Sequence, residues 1–143
     1  TYSCRVMTLK ETTASDSVAL QMGVPIGTRV YRSVIVHLEE GLAIQLENRY
    51  VIAALVPGYL EQDYTQETPN AFLSKICPIS SIEHIVEAVL PSEKAQLLLD
   101  IDASTPCIQV NRRTWSDGRL ISFATLTHPG TRYKLRSIST PQG

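Results

Sequence analysis

Glu47 is the residue with the most chemistry to offer in this chain. It stands in a β-patterned run between Leu46 and Tyr50-Val51-Ile52, and period-2 parity puts Gln45 and Arg49 on its face. A carboxylate inside such a strand needs a partner, because an unpaired buried charge is very costly. Two readings follow: an outward Glu47 paired in water with Arg49 or Arg32, or an acceptor turned toward a ligand. On the preceding strand Ser33, Ile35 and His37 share a face, and the tight hairpin at Glu39-Glu40 brings His37 and Glu47 into one region. Thr68-Pro69-Asn70 is a helix start, with Thr68 as cap and Pro69 in the first turn. Backbone N–H groups there lack intrahelical partners and favour an anion, which the Thr68 hydroxyl and Asn70 amide would assist; plain capping is the alternative. Arg112, Thr114 and Ser122 lie on later strands. His128 opens a His-Pro-Gly turn, where loops often carry function. His84 shares parity with Ile82, Val86 and Ala88, which predicts a packed, structural imidazole.

Several chemistries are set aside. No phosphate loop, dinucleotide glycine fingerprint or Gly-x-Ser-x-Gly elbow occurs. Three His and three Cys show no paired metal spacing, so no metal and no cofactor is expected. Cys4, Cys77 and Cys107 are an odd number without short spacing, which fits free thiols in a reducing compartment. The net charge of −1 gives no whole-domain case for nucleic acid. Arg112-Arg113 beside Trp115 would split between the two faces of a strand. No apolar run reaches the ~18 residues that span a bilayer.

The elements that position these residues come as a repeated unit. Ser15-Asp16, Leu20, Val24, Thr28, Val30, Gly41 and Ile44 recur 77 residues later as Ser92-Glu93, Leu97, Ile101, Thr105, Cys107, Gly118 and Ile121. Each copy reads as a short helix, a turn, a strand, a Gly hairpin and a return strand. Strands are predicted over residues 2–11, 29–38, 42–52, 82–90, 106–115, 120–127 and 132–135. Helices are predicted from Ser15 to Met22, after Thr68 toward Cys77, and from Ser92 to about Leu99. Hairpins and short helices join neighbouring strands, so the fold class is α+β: a mainly antiparallel sheet with packed helices and an internal pseudo-twofold repeat. The 143 residues suit one domain, 1–143, and the start at Thr1 rather than Met suits a piece of a longer protein, with removal of a signal segment as the alternative. A pocket is expected where the copies meet, on strand faces turned toward the helices.

Taken together, Glu47-Asn48-Arg49-Tyr50, Thr68-Pro69-Asn70, Pro106-Cys107-Ile108-Gln109-Val110 with Arg112-Arg113-Thr114-Trp115, and His128-Pro129-Gly130 with Arg132-Tyr133 resemble the UTRA effector-binding domain of GntR-type bacterial transcription regulators. The resemblance runs over nearly the whole chain and is closest to the histidine-utilization subgroup. It implies a chorismate-lyase-like fold, a cytoplasmic homodimer, and an N-terminal winged-helix DNA-binding domain absent from this chain that would contact operator DNA. For that subgroup it implies urocanate, an imidazole joined to a carboxylate, as the effector that relieves repression of histidine catabolism. By position it assigns ligand contacts to Glu47, Thr68, Asn70 and Ser122, with His128 where phosphosugar-sensing relatives close the pocket with a tyrosine. Those relatives carry two arginines where this chain has Ile35 and His37, which points to a smaller, less charged ligand. Glu47 would accept from the imidazole N–H, and Thr68, Asn70 and the helix start would hold the carboxylate with Arg112 as cation. His37 and Ser122 would line the wall. The competing classes are an enzyme of the chorismate-lyase type on the same fold and a dimerization module without ligand.

Overall fold

The computed structural model describes residues 1–134 and residue 136. Its elements run β1 (Tyr2–Thr13), α1 (Asp16–Met22), β2 (Arg29–Glu39), β3 (Leu42–Ile52), α2 (Pro69–Ile76), β4 (Ile79–Val89), α3 (Glu93–Leu99), β5 (Cys107–Ser116) and β6 (Arg119–Pro129). Two 3-10 turns, Ala53–Leu55 and Tyr59–Glu61, lie between β3 and α2. Local chemistry explains the helices. Ser15, Thr68 and Ser92 each accept a hydrogen bond from the backbone N–H three residues on, at 3.4, 3.1 and 3.2 Å. Gly23 and Asp100 close α1 and α3 in the left-handed conformation, at φ 66° and 53°.

The strands form one six-stranded sheet in the order β1-β2-β3-β6-β5-β4, with every neighbouring pair antiparallel. The order is unchanged when β1, β2, β3 are exchanged for β4, β5, β6 and the direction is reversed. The central β3–β6 register also maps onto itself under the 77-residue offset, pivoting on Asn48 opposite Thr125. Both hairpin-leading strands carry an irregularity at matching places, after His37 and after Thr114.

The sheet is covered on both faces, though not as the repeat alone predicts. Val30, Ile52 and Phe123 pack under α1, while Val34, Val36 and Leu46 pack under α3. Tyr59, Tyr64, Phe72 and Leu73, from the 3-10 turn and α2, cover Ile35 and Val51 on the opposite face. The face that carries Glu47 is therefore turned away from the repeated helices and toward the segment that belongs to neither copy. Edge strand β4 is largely exposed, and His84 with it, so the packed imidazole predicted there is corrected: period 2 gave the face, but no described element covers that end of it. Residues 132–134 form no strand, contrary to the alternating pattern; Leu135 and the tail from Ser137 lie outside the described residues. No described helix is long and apolar enough to cross a membrane.

Candidate functional site

Glu47 is 4% exposed and Arg49 1% exposed, side by side along β3. Burial alone would raise the Glu47 carboxyl; the Arg49 charge, with hydrogen bonds from His37 and Arg49, outweighs it and holds the pKa at about 2. Arg49 Nε donates to Oε2 at 2.9 Å, and His37 Nε2 donates to Oε1 at 2.8 Å. An ionised carboxylate only accepts, so the His37 proton sits on Nε2. The Tyr2 hydroxyl, at the start of β1, is hydrogen-bonded to Nδ1 of the same ring. Arg49 Nη1 donates onward to Ser122 Oγ at 2.8 Å. Tyr2, His37, Glu47, Arg49 and Ser122 thus form one chain of side-chain hydrogen bonds across four strands. The reading of Glu47 as an outward, solvated acid fails against this burial.

This chain floors a cavity of about 370 Å³. Of the residues singled out in the sequence, His37, Glu47, Thr68, Asn70, Arg112 and His128 all line it. Ser122 does not: it is fully buried behind Arg49, so its expected place in the wall is corrected to a support for that guanidinium. Thr68 is largely committed to capping. Its hydroxyl takes the Ala71 N–H and its carbonyl the Phe72 N–H, and Pro69 has none, which leaves the Asn70 N–H and amide as the donors at the helix start. His128 lies in the last residues of β6 rather than in a turn, 5% exposed. Burial, together with the Arg112 and His37 side chains, lowers its pKa to about 4 against a backbone contact with Ile44, so the ring is neutral at pH 7.

Seven lining residues were not among those assigned a ligand contact: Tyr2, Ile44, Gln45, Arg49, Leu126, Arg132 and Tyr133. Gln45 carried a signal, since it shares parity with Glu47. Tyr133 stacks on His128 with ring centroids 3.9 Å apart and planes 15° apart. Arg132 ties that segment down by donating to the carbonyls of Ala43, Leu99 and Asp100 at 2.9, 2.6 and 3.0 Å. The last two are free carbonyls at the C-terminus of α3. Arg112 donates from Nε to His84 Nε2 at 2.8 Å. Burial and the like charge of Arg49 lower its pKa.

Among the described residues Glu47 is the one carboxylate on this lining, and Arg49 offsets its charge. Arg112 and Arg132 have no carboxylate partner among the described residues. The cavity is therefore cationic overall and suits an anion. A slightly larger cleft, about 430 Å³, lies at the other end of β6 between Leu55, Cys77 and Arg119, without convergent polar groups of this kind. No group of three His, Cys, Asp or Glu side chains among the described residues could hold a metal.

An antiparallel sheet with such a cavity between its open face and a short inserted helix is the framework of a small-ligand-binding α+β domain. The chain belongs to the UTRA domain family, whose profile matches residues 1–134. It is 45% identical over 134 residues to a histidine utilization repressor of Pseudomonas putida, covering 94% of this chain and 54% of that protein. A histidine utilization repressor of Klebsiella aerogenes is 46% identical over 135 residues, covering 94% of this chain and 56% of that one. The chain spans about half the length of these curated relatives. Among solved structures, the C-terminal domain of histidine utilization repressor from Pseudomonas syringae pv. tomato str. DC3000 superposes with a TM-score of 0.96 at 42% identity, covering 99% of this chain and all of that one. The effector domain of PhnF from Mycobacterium smegmatis shares the fold, with a TM-score of 0.88 at 22% identity over 99% of this chain and 88% of that one.

Proposed function

We propose that this domain is the effector-sensing part of a GntR-type histidine utilization repressor, and that urocanate, or a related imidazole carboxylate, is the effector that relieves repression. The observation that carries the reading is the charge layout of the cavity. Glu47 stands on β3 and Arg112 on β5, two strand spacings apart across β6 and two residues out of level, because Arg112 and Arg49 both pair with Ala124, so their backbones are about 12 Å apart. A planar acid with an N–H at one end and a carboxylate at the other fits between them. Each Glu47 oxygen has one lone pair beyond those used by His37 and Arg49, and the ring N–H takes one of these. Arg112 meets the carboxylate, with the Asn70 N–H and amide beside Thr68. Gln45 and the His128–Tyr133 stack supply flat walls.

The relatives' names support a regulator rather than an enzyme on the same fold, and with it a cytoplasmic setting and an N-terminal DNA-binding domain as the route to operator DNA. A homodimer is part of the reading. Its support is the β4 edge, where Ile82, Ile85, Val86 and Leu90 are 48 to 67% exposed beside unpaired strand backbone. Calorimetric titration with urocanate tests the effector. Binding in the micromolar range that Arg112→Ala weakens at least tenfold is expected, and no heat from the unaltered domain ends the assignment.

A further inference from the structure

Arg112, the cavity's cation on the β5 side, is held from outside the 370 Å³ cavity. Its register partner on the edge strand is His84, and Arg112 Nε donates to His84 Nε2 at 2.8 Å. A guanidinium has donors and no acceptor, so Nε2 must be the accepting nitrogen and the imidazole proton must sit on Nδ1. With Nε engaged, the fork left to meet an anion is the terminal Nη1/Nη2 pair, for which the described residues offer no hydrogen-bond partner. A second hollow of about 360 Å³ continues the cavity past Arg112 to His84 and Val86, so His84 stands at its rim on the open side of the sheet.

We infer that His84 is a positioning residue for effector recognition: its neutral imidazole fixes the Arg112 guanidinium so that the Nη pair, end-on, receives the effector carboxylate. This rests on the reading of the cavity as the site of an imidazole carboxylate. An arginine stem is otherwise free to sample many rotamers, and holding the fork in advance removes that cost from binding. The arrangement also gives the site a sense of acidity. A protonated His84 presents an N–H to another N–H beside a like charge, so it can no longer hold Arg112. Burial and the Arg112 charge already favour the neutral ring. The other titratable groups on the same hollow are His128 from β6 and Tyr133 from the C-terminal segment, with Gln45 uncharged.

Urocanate affinity of the unaltered chain, His84→Ala and His84→Gln, measured by calorimetry between about pH 5 and 7.5, tests the role. Gln keeps an acceptor oxygen that does not titrate. At pH 7.5, His84→Ala is expected to weaken binding about tenfold, the scale of one charge-assisted hydrogen bond, and His84→Gln to restore most of it. On acidification the unaltered chain is expected to lose affinity more steeply than His84→Gln, a comparison in which titration of the ligand and of His128 cancels. Equal affinity for His84→Ala and the unaltered chain, or parallel pH profiles for the unaltered chain and His84→Gln, overturns the inference. If urocanate binds none of them, the effector reading falls, and the imidazole 15N shifts of His84 decide the contact by themselves. The Nδ1–H tautomer is expected, and an Nε2–H tautomer overturns it.

Discussion

Exchanging Glu47 for Gln keeps the size of the side chain and removes its charge, which isolates what the carboxylate does for the fold. Arg49 stays buried at 1% exposure, with the Ser122 hydroxyl at 2.8 Å and an amide in place of its counter-ion. Removing one partner of a buried pair costs about 3–5 kcal/mol, because the remaining charge is left uncompensated. Titration gives a second route. The carboxyl is displaced from 4.5 to about 2. At about 1.4 kcal/mol per pH unit, that displacement is worth roughly 3 kcal/mol. The two figures meet near 3–4 kcal/mol. In a domain of this size each kcal/mol moves the melting temperature by about 3–4 °C, so Glu47→Gln is expected to melt roughly 10–15 °C lower at pH 7. The sign against pH follows from linkage. The folded carboxyl titrates below the unfolded one, so its contribution is complete above about pH 4.5 and disappears as the pH falls toward 2. Urea unfolding followed by circular dichroism at several pH values should therefore show the two proteins converging across that window. A melting temperature at pH 7 within about 2 °C of the unaltered protein, or a gap that persists undiminished in acid, would refute the buried-pair argument.

Three further outcomes are expected. His128 titrates at about 4 in the fold and near 6.5 when unfolded, so the unfolded chain binds more protons between these values and stability falls as pH drops through that window; His128→Gln should flatten the urea midpoint there, and parallel slopes would count against a buried neutral ring. Asp100 holds the left-handed end of α3 at φ 53°, where α1 uses Gly23, so Asp100→Gly should raise stability by about 0.5–1 kcal/mol, read as a higher urea midpoint at unchanged slope. A Cβ on Gly130 would stand 2.7 Å from the Pro106 carbonyl oxygen. Gly130→Ala should displace the segment that carries Arg132 and Tyr133, costing roughly 1–3 kcal/mol and weakening urocanate binding in the same titration.

What was legible in the sequence was local. Ser15, Thr68-Pro69 and Ser92 mark helix starts because capping is settled within four residues, and Gly41 and Gly118 mark hairpins for the same reason. Parity along β3 put Glu47 with Gln45 and Arg49, and the structure keeps them on one face. Depth was not legible. Whether Glu47 is solvated or buried depends on the roof of Tyr59, Tyr64 and Phe72, whose packing no pattern in β3 announces. Ser122 had the right face but sits beneath Arg49, a matter of side-chain length across two strands. Tyr2 reaches His37 only through the β1–β2 register. Residues 132–135 alternate like a strand, yet Arg132 fastens the described part of that segment to carbonyls of the β2–β3 hairpin strand and of α3, an attachment with no local signature.

The repeat explains why the polar floor occupies one side of the sheet's centre. About the Asn48–Thr125 pivot, Glu47 exchanges with Ala124 and Arg49 with Leu126, and the register sets Glu47 opposite Leu126 and Arg49 opposite Ala124. Two equivalent copies would place two carboxylates and two guanidiniums within one cavity floor, and each added buried ion must recover its lost hydration from partners. Apolar residues in the second copy avoid that. The methyl of Ala124, fully buried, also leaves the space across β6 through which Arg49 reaches Ser122. The same exchange turns Ile35 into Arg112 and His37 into Thr114, so the second copy contributes a cation where the first has a hydrocarbon. Positions that set the backbone, such as the left-handed residues at Glu40 and Asp117 and at Gly41 and Gly118, stay paired. Conformation repeats and charge does not, a division that suits the proposed effector, whose two ends differ chemically.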